Sequence, residues 1–191
     1  MATPPADPIA ARASALALIG AEHAAFDKAL AALMDHLTLA RTHGVRPEPG
    51  LFERGLTYLS TFMDRFHHPK EDEYLFAAVR ERTREADDVL ALLQHDHARG
   101  PACFRDLEQA LAGTRAGDTR FADFGELLER YAREQLEHMR VETTILVPLA
   151  ERVLRPAAWL SIDGAFRANR DPLFGAGGGG RPGVIPRPES P

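Results

Sequence analysis

Cysteine is nearly missing from this chain of 191 residues: Cys103 stands alone. A single thiol makes no internal disulfide, so packing must hold the fold, and a reducing cytoplasm suits such a chain. Long apolar runs are missing too, and none approaches the ~20 residues that a membrane span requires. The Ala/Leu stretch from Ala13 to Ala21 has no basic start and merges into a longer helical pattern, so it does not read as a secretion signal. Basic charge is in deficit. Lys and Arg number 23 against 28 Asp and Glu, a net charge of −5. That argues against nucleic acid as the main partner, because phosphates call for a basic face. β-branched residues are few, whereas alanine, leucine, glutamate and arginine dominate, which favours helix.

What remains is a chain long enough for one domain with a sizeable core, 45% hydrophobic and patterned at helical spacing. Residues 1–13 are rich in proline and alanine and read as a flexible N-terminus. Leu16, Ile19, His23, Phe26, Leu30, Leu33 and Leu37 then form one apolar stripe, ended by Gly44. A second helix is predicted from about Leu51 to Arg82, along Phe52, Leu56, Leu59, Met63, His67, Glu71, Leu75 and Val79. Pro69 lies inside it and removes a backbone bond to the Arg65 carbonyl, so a kink or a local widening is expected there. A third runs from near Asp87 to Gly113 and a fourth from about Thr119 to Leu154, with Pro148 in its last turns. Residues 14–155 thus predict an all-α, antiparallel up-down four-helix bundle. Residues 156–170 predict a short C-terminal helix that packs Trp159 on the bundle. Residues 171–191, rich in glycine and proline, predict a mostly disordered tail.

The chemistry gathers in RFHHPKEDEYLF, residues 65–76. Positions i and i+4 of a helix share a face, so His67 and Glu71 can grip one cation from one side. His138 and Glu142 repeat the figure, and His23 and His97 sit on the stripes of the first and third helices. Counted from the expected helix ends at Gly44, Leu51, Gly113 and Thr119, the four histidines lie at heights of roughly 24–32 Å, at ~1.5 Å per residue. They share one layer. Buried acids there are costly without counter-charge, no basic residue lies on those stripes, and a bound cation resolves the problem for all six residues together. His67 and His68 are neighbours; the stripe selects His67/Glu71 as interior and leaves His68/Asp72 to solvent. His95, His36 and His43 read as surface residues, and Cys103 as a packed small hydrophobe.

The set His23, His67-Glu71, His97 and His138-Glu142 resembles the hemerythrin-like (HHE cation-binding) domain family, over about residues 15–155. The resemblance implies a non-haem di-iron centre in which Glu71 and Glu142 bridge the metals and the four histidines cap them. Two departures stand out. Oxygen-carrying relatives have a second histidine four residues from the first on the third helix; here Leu93 and Pro101 hold those positions. They also end on HxxxxD where this chain has HxxxE. Glu134, Tyr74 and Tyr131 are further candidates near the site. Ferritin-like centres need Glu-x-x-His motifs, which the chain does not contain. Mixed imidazole and bridging carboxylate ligation suits paired iron better than a closed tetrahedral zinc site.

The implied function is binding of iron and, through it, of O₂, NO or peroxide, as a cytoplasmic sensor, carrier or stress-response protein. The alternative is a di-iron enzyme acting on NO or peroxide, or donating iron for iron–sulfur repair. A bundle that uses its polar core for specificity alone, without metal, is the third reading.

Overall fold

The computed structural model describes residues 7–43, 47–117 and 119–168. Helix α1 is Pro8–Thr42. It starts earlier than expected, inside the segment 1–13 that reads as flexible from sequence. Asp7 is the reason: its carboxylate accepts from the Ile9 and Ala10 N–H groups at 3.1 and 3.4 Å, with Pro8 in the first turn. Ala11 and Ala15 are fully buried, so this added length is packed. Gly44 and the 171–191 tail lie outside the described residues.

Helix α2, residues 49–80, is not uniform. It is α-helical over Pro49–Phe62, widens to a π-helix over Met63–His67, returns to α over His68–Lys70, widens again over Glu71–Phe76 and closes as α over Ala77–Arg80. Helix α3 is Asp87–Ala116, ended by Gly117 at φ 84°, a left-handed conformation that glycine adopts without strain. Helix α4, residues 121–153, is α over Phe121–Val141, π over Glu142–Leu146 and α over Val147–Val153. Helix α5 is Pro156–Arg167.

Two of the π-turns directly precede a proline. The His68 N–H reaches back five residues to the Met63 carbonyl, just before Pro69, and the Val147 N–H reaches the Glu142 carbonyl, just before Pro148. A proline ring crowds the carbonyl four residues back and offers it no N–H. Opening the turn by one residue relieves both problems without breaking the helix. The widening expected at Pro69 is present; the one at Glu71–Phe76 has no proline behind it.

The first four helices pack α1 on α2, α2 on α3, α3 on α4 and α4 on α1, joined by short loops as an up-down bundle. Among the described residues, no helix is long and apolar enough to cross a membrane. Two apolar cores fill the bundle. One joins Phe26–Leu37 of α1 to Leu51, Phe52, Phe62 and Met63 of α2, to Phe104 and Leu111 of α3, and to Phe124 and Met139 of α4. The other joins Ala11–Ile19 to Leu75, Phe76, Leu90, Leu93, Val141 and Leu146. Trp159, Ile162 and Phe166 of α5 complete that second core, which docks α5 along α1 and over the widened part of α2. Each of the four long helices crosses from one core to the other, and the crossing points carry the histidines.

Candidate metal centre

At the crossings the structure gathers two groups of donors. His23, His67, Glu71 and Glu142 form one; His68, Glu71, His97 and His138 form the other, and within each group the donor atoms lie within 4.8 Å of one another. Glu71 belongs to both. Its Oε1 lies 3.1 Å from His67 Nε2 and 3.6 Å from His23 Nε2, while its Oε2 lies 3.5 Å from His97 Nε2. Glu142 Oε2 also faces both groups, 3.2 Å from His23 Nε2 and 3.8 Å from His138 Nε2. The paired imidazoles point Nε2 at Nε2, at 3.0 Å for His23 and His67 and 3.1 Å for His97 and His138. All six residues selected from the sequence therefore meet in one layer.

A seventh joins them. His68, assigned to solvent by the stripe, is only 6% exposed and stacks on His97 with ring centroids 4.0 Å apart. The π-turn at Met63–His67 is the cause. It holds one more residue than an α-turn, so the inward face slips by one position and two consecutive histidines both turn toward the axis. His68 supplies the third imidazole of the second group, the one whose absence from α3 the sequence shows. The readable signal was Pro69, whose widening of the preceding turn breaks the phase count that excluded His68. Asp72, grouped with His68 in the sequence reading, keeps its carboxylate partly exposed and turns it to His97 Nδ1 at 3.1 Å.

Sequence reasoning also missed the carboxylates behind the imidazoles. Glu22 Oε2 lies 2.7 Å from His67 Nδ1, and Asp96 Oδ2 lies 3.4 Å from His138 Nδ1. With Asp72 this makes three such pairs, each formed between neighbouring helices. Glu22, Asp72 and Asp96 each sit next to a donor of their own helix (His23, Glu71 and His97) and serve the imidazole of the next one. An Nδ1–H given to a carboxylate fixes the tautomer and aims the Nε2 lone pair inward, as a metal-binding histidine requires. Asp64 Oδ1 stands 3.8 Å from His68 Nδ1, too far for a hydrogen bond.

The other candidates fall elsewhere. Glu134 is exposed and pairs with Arg99 at 3.7 Å, Tyr74 lies under the Lys70 ammonium, and Tyr131 is buried against Phe104. None is in either donor group. Cys103 packs against the first core. His95 and His43 are exposed, and the half-buried His36 gives its Nδ1 to the Ala32 carbonyl.

The electrostatics of the layer are those of a cation site. Burial alone would raise the Glu71 pKa, but the imidazoles of His67 and His23 hold it well below the ordinary carboxylate range. Burial alone would lower that of His67; Glu71 and Glu22 push it up to about 10. Burial, reinforced by His97, keeps His68 well below the usual imidazole range, so it stays neutral, with one ring nitrogen free to offer its lone pair to a cation. Glu71 and Glu142 are at most 2% exposed, and their ion-pair distances are all to histidines. All four of their carboxylate oxygens, and both His68 nitrogens, are buried without a hydrogen bond of good geometry. Buried polar atoms are almost always satisfied, so this concentration of orphans in one layer demands a partner. Two cations answer it, and a mixed imidazole and carboxylate donor set fits iron. Phe62 and Phe76 stack on His67 and His97 from the two cores, so the layer is dry above and below.

A search of curated proteins and a search of solved structures found no match to this chain. The family profile described as Hemerythrin HHE cation binding domain matches residues 14–150, which takes in every donor and leaves α5 outside.

Proposed function

The chain belongs to the hemerythrin HHE cation-binding domain family, and from that premise we propose that it holds a pair of non-haem irons and binds a small diatomic ligand or peroxide through them. In this reading Glu71 and Glu142 would be shared by the two irons, His23 and His67 would hold one, and His68, His97 and His138 would hold the other. The observation that carries it is Glu71, whose two oxygens face different donor groups from the centre of the layer. One group has three imidazoles and the other two, so the His23 side is short of one donor and has room for an outside ligand. Iron so held supplies redox-active binding of small molecules. The chain's own residues aim the donors, neutralise the acids and keep the layer dry.

We assign binding rather than turnover. Among the described residues, every acid within ion-pair reach of a donor imidazole is itself a donor or lies behind one. The lone cysteine supports a cytoplasmic setting. Metal analysis of the purified protein tests the reading: about two irons per chain are expected, as for a two-metal site. Zinc in their place, or iron well below one per chain, overturns it. Mixing the reduced protein with O₂, NO or peroxide then separates the roles, a stable adduct marking a carrier or sensor and repeated consumption an enzyme.

A further inference from the structure

We infer that small uncharged ligands reach the centre through the seam between α1 and α4, and that Leu136 sets the width of that passage. The inference deepens the function proposed above and rests on it for the identity of the traveller. The seams between the four long helices are not alike. Glu22 of α1 closes the first by pairing with His67 of α2, and Phe166 of α5 lies edge-on to the same imidazole at 5.9 Å. Asp72 to His97 closes the α2/α3 seam, and Asp96 to His138 closes the α3/α4 seam. By the same rule a carboxylate of α4 would stand behind His23 of α1. Among the described residues none is within ion-pair distance apart from the donors themselves.

His23 is accordingly the most open of the five donor imidazoles, with 11% of its side chain exposed against 0–7% for the others. It lines an open groove of about 350 Å³ together with Ala24, Leu136, Met139 and Thr143. Two of the polar groups beside it are engaged. The Arg140 guanidinium is held by Glu137 on its own helix at 2.6 and 2.7 Å, and the Thr144 hydroxyl donates to the Arg140 carbonyl at 2.7 Å. The way in is thus apolar, with Asp27 exposed along it. It favours a neutral diatomic such as NO or O₂ over an anion. Leu136, 46% exposed, is the large apolar side chain on its outer wall, with the buried Met139 one turn further on.

Two measurements decide the matter. In stopped-flow mixing of the reduced, iron-loaded protein with NO, Leu136→Trp is expected to slow association by about tenfold or more, with iron content and thermal midpoint unchanged. Leu136→Ala is expected to be no slower than the unaltered protein. Leu92→Trp, at a similarly exposed position on α3, serves as control and leaves the rate alone. Independently of iron, xenon-pressurised crystals of the protein as purified are expected to show xenon between Leu136 and Met139, displaced in Leu136→Trp. An association rate within about twofold of the unaltered protein in Leu136→Trp overturns the proposal. Absence of xenon overturns it too, and so does a change of solution mass in that variant, which would mean the groove seats a second copy of the chain. Should the unaltered protein take up no iron, the di-iron reading fails, while the xenon result still decides the seam.

Discussion

The first apolar core and the histidine layer next to it occupy the same four helices and solve opposite problems. In the core, Phe52 meets Phe121 and Phe124 edge-to-face at 5.8 and 5.3 Å, on unbroken α-helix. Apolar packing has no focal point: each buried side chain of that size adds roughly 1.5–3 kcal/mol wherever it fits. The layer must aim seven donors at two points. A regular helix presents inward only the residues of one stripe, and α2 has to supply three donors, His67, His68 and Glu71. That is where α2 widens twice, and α4 widens at Glu142. Regular backbone serves the part of the molecule that stabilises, and irregular backbone serves the part that binds. π-turns give up hydrogen-bond geometry, and the buried acids beside them oppose folding until a cation arrives.

The sharpest way to break this contrast is to remove one large group from each region and add a chelator. Phe52→Ala removes a fully buried ring from the core and is expected to cost about 3–5 kcal/mol. The thermal midpoint should fall by roughly 10 °C, with chelator or without. Glu71→Gln keeps the shape and removes the shared charge. Iron should fall from about two per chain to below about one, with the helical circular dichroism retained. Chelator should lower the midpoint of the unaltered protein, because a bound ion at a thousand times its Kd stabilises by about 4 kcal/mol. It should leave Glu71→Gln where it was. Chelator-insensitive stability in the unaltered protein would mean that the layer is structural and the contrast false.

His68→Ala is next in size. It removes one donor from one group and leaves His23, His67, Glu71 and Glu142 intact. Iron should drop by about half, to about one per chain, as expected for one member of a two-metal site. Unchanged iron would restore the solvent-facing assignment that the apolar stripe suggests, and would make the stacking of His68 on His97 mere packing.

That stripe shows how far the sequence could be read. Leu30, Leu33, Leu56, Leu59, Leu107 and Leu128 all fall in the core where a 3.6-residue period puts them, because the backbone there is regular. The same period finds His23, His67, His97 and His138, each at the border between the two cores on its helix. It fails at His68, one residue beyond a widened turn, since a phase count carries no information about turns that depart from the period. The carboxylates behind the imidazoles were out of reach for another reason. Glu22, Asp72 and Asp96 lie beside the stripes and meet their histidines only across a helix interface. Their partners follow from the handedness and tilt of the packing, which one helix's pattern does not contain. The early start of α1 was legible in principle, since Asp7 followed by Pro8 is a helix-start signal.

The smallest effect, and the one that isolates the backbone's part, is expected from Pro69→Ala. Alanine restores an N–H facing the Arg65 carbonyl and removes the ring that crowds it. If proline holds the turn open, the α-ladder closes, the inward face shifts back by one residue, and His68 swings toward solvent while His67 and Glu71 stay. The variant then behaves like a mild His68→Ala: the second iron binds more weakly, by about tenfold in half-saturation, whereas the first is held as before. Its stability in chelator should rise by a few tenths to about 1 kcal/mol, because a helix-interior proline has been replaced. Iron binding and chelator stability equal to those of the unaltered protein would place the cause in the packing of Phe62 and Phe76 around the histidines instead. The second π-turn, Glu71–Phe76, already stands without a proline and shows that the surrounding packing can hold such a turn by itself. What Pro69 adds is position: it fixes the first widening to the single turn that brings His68 in.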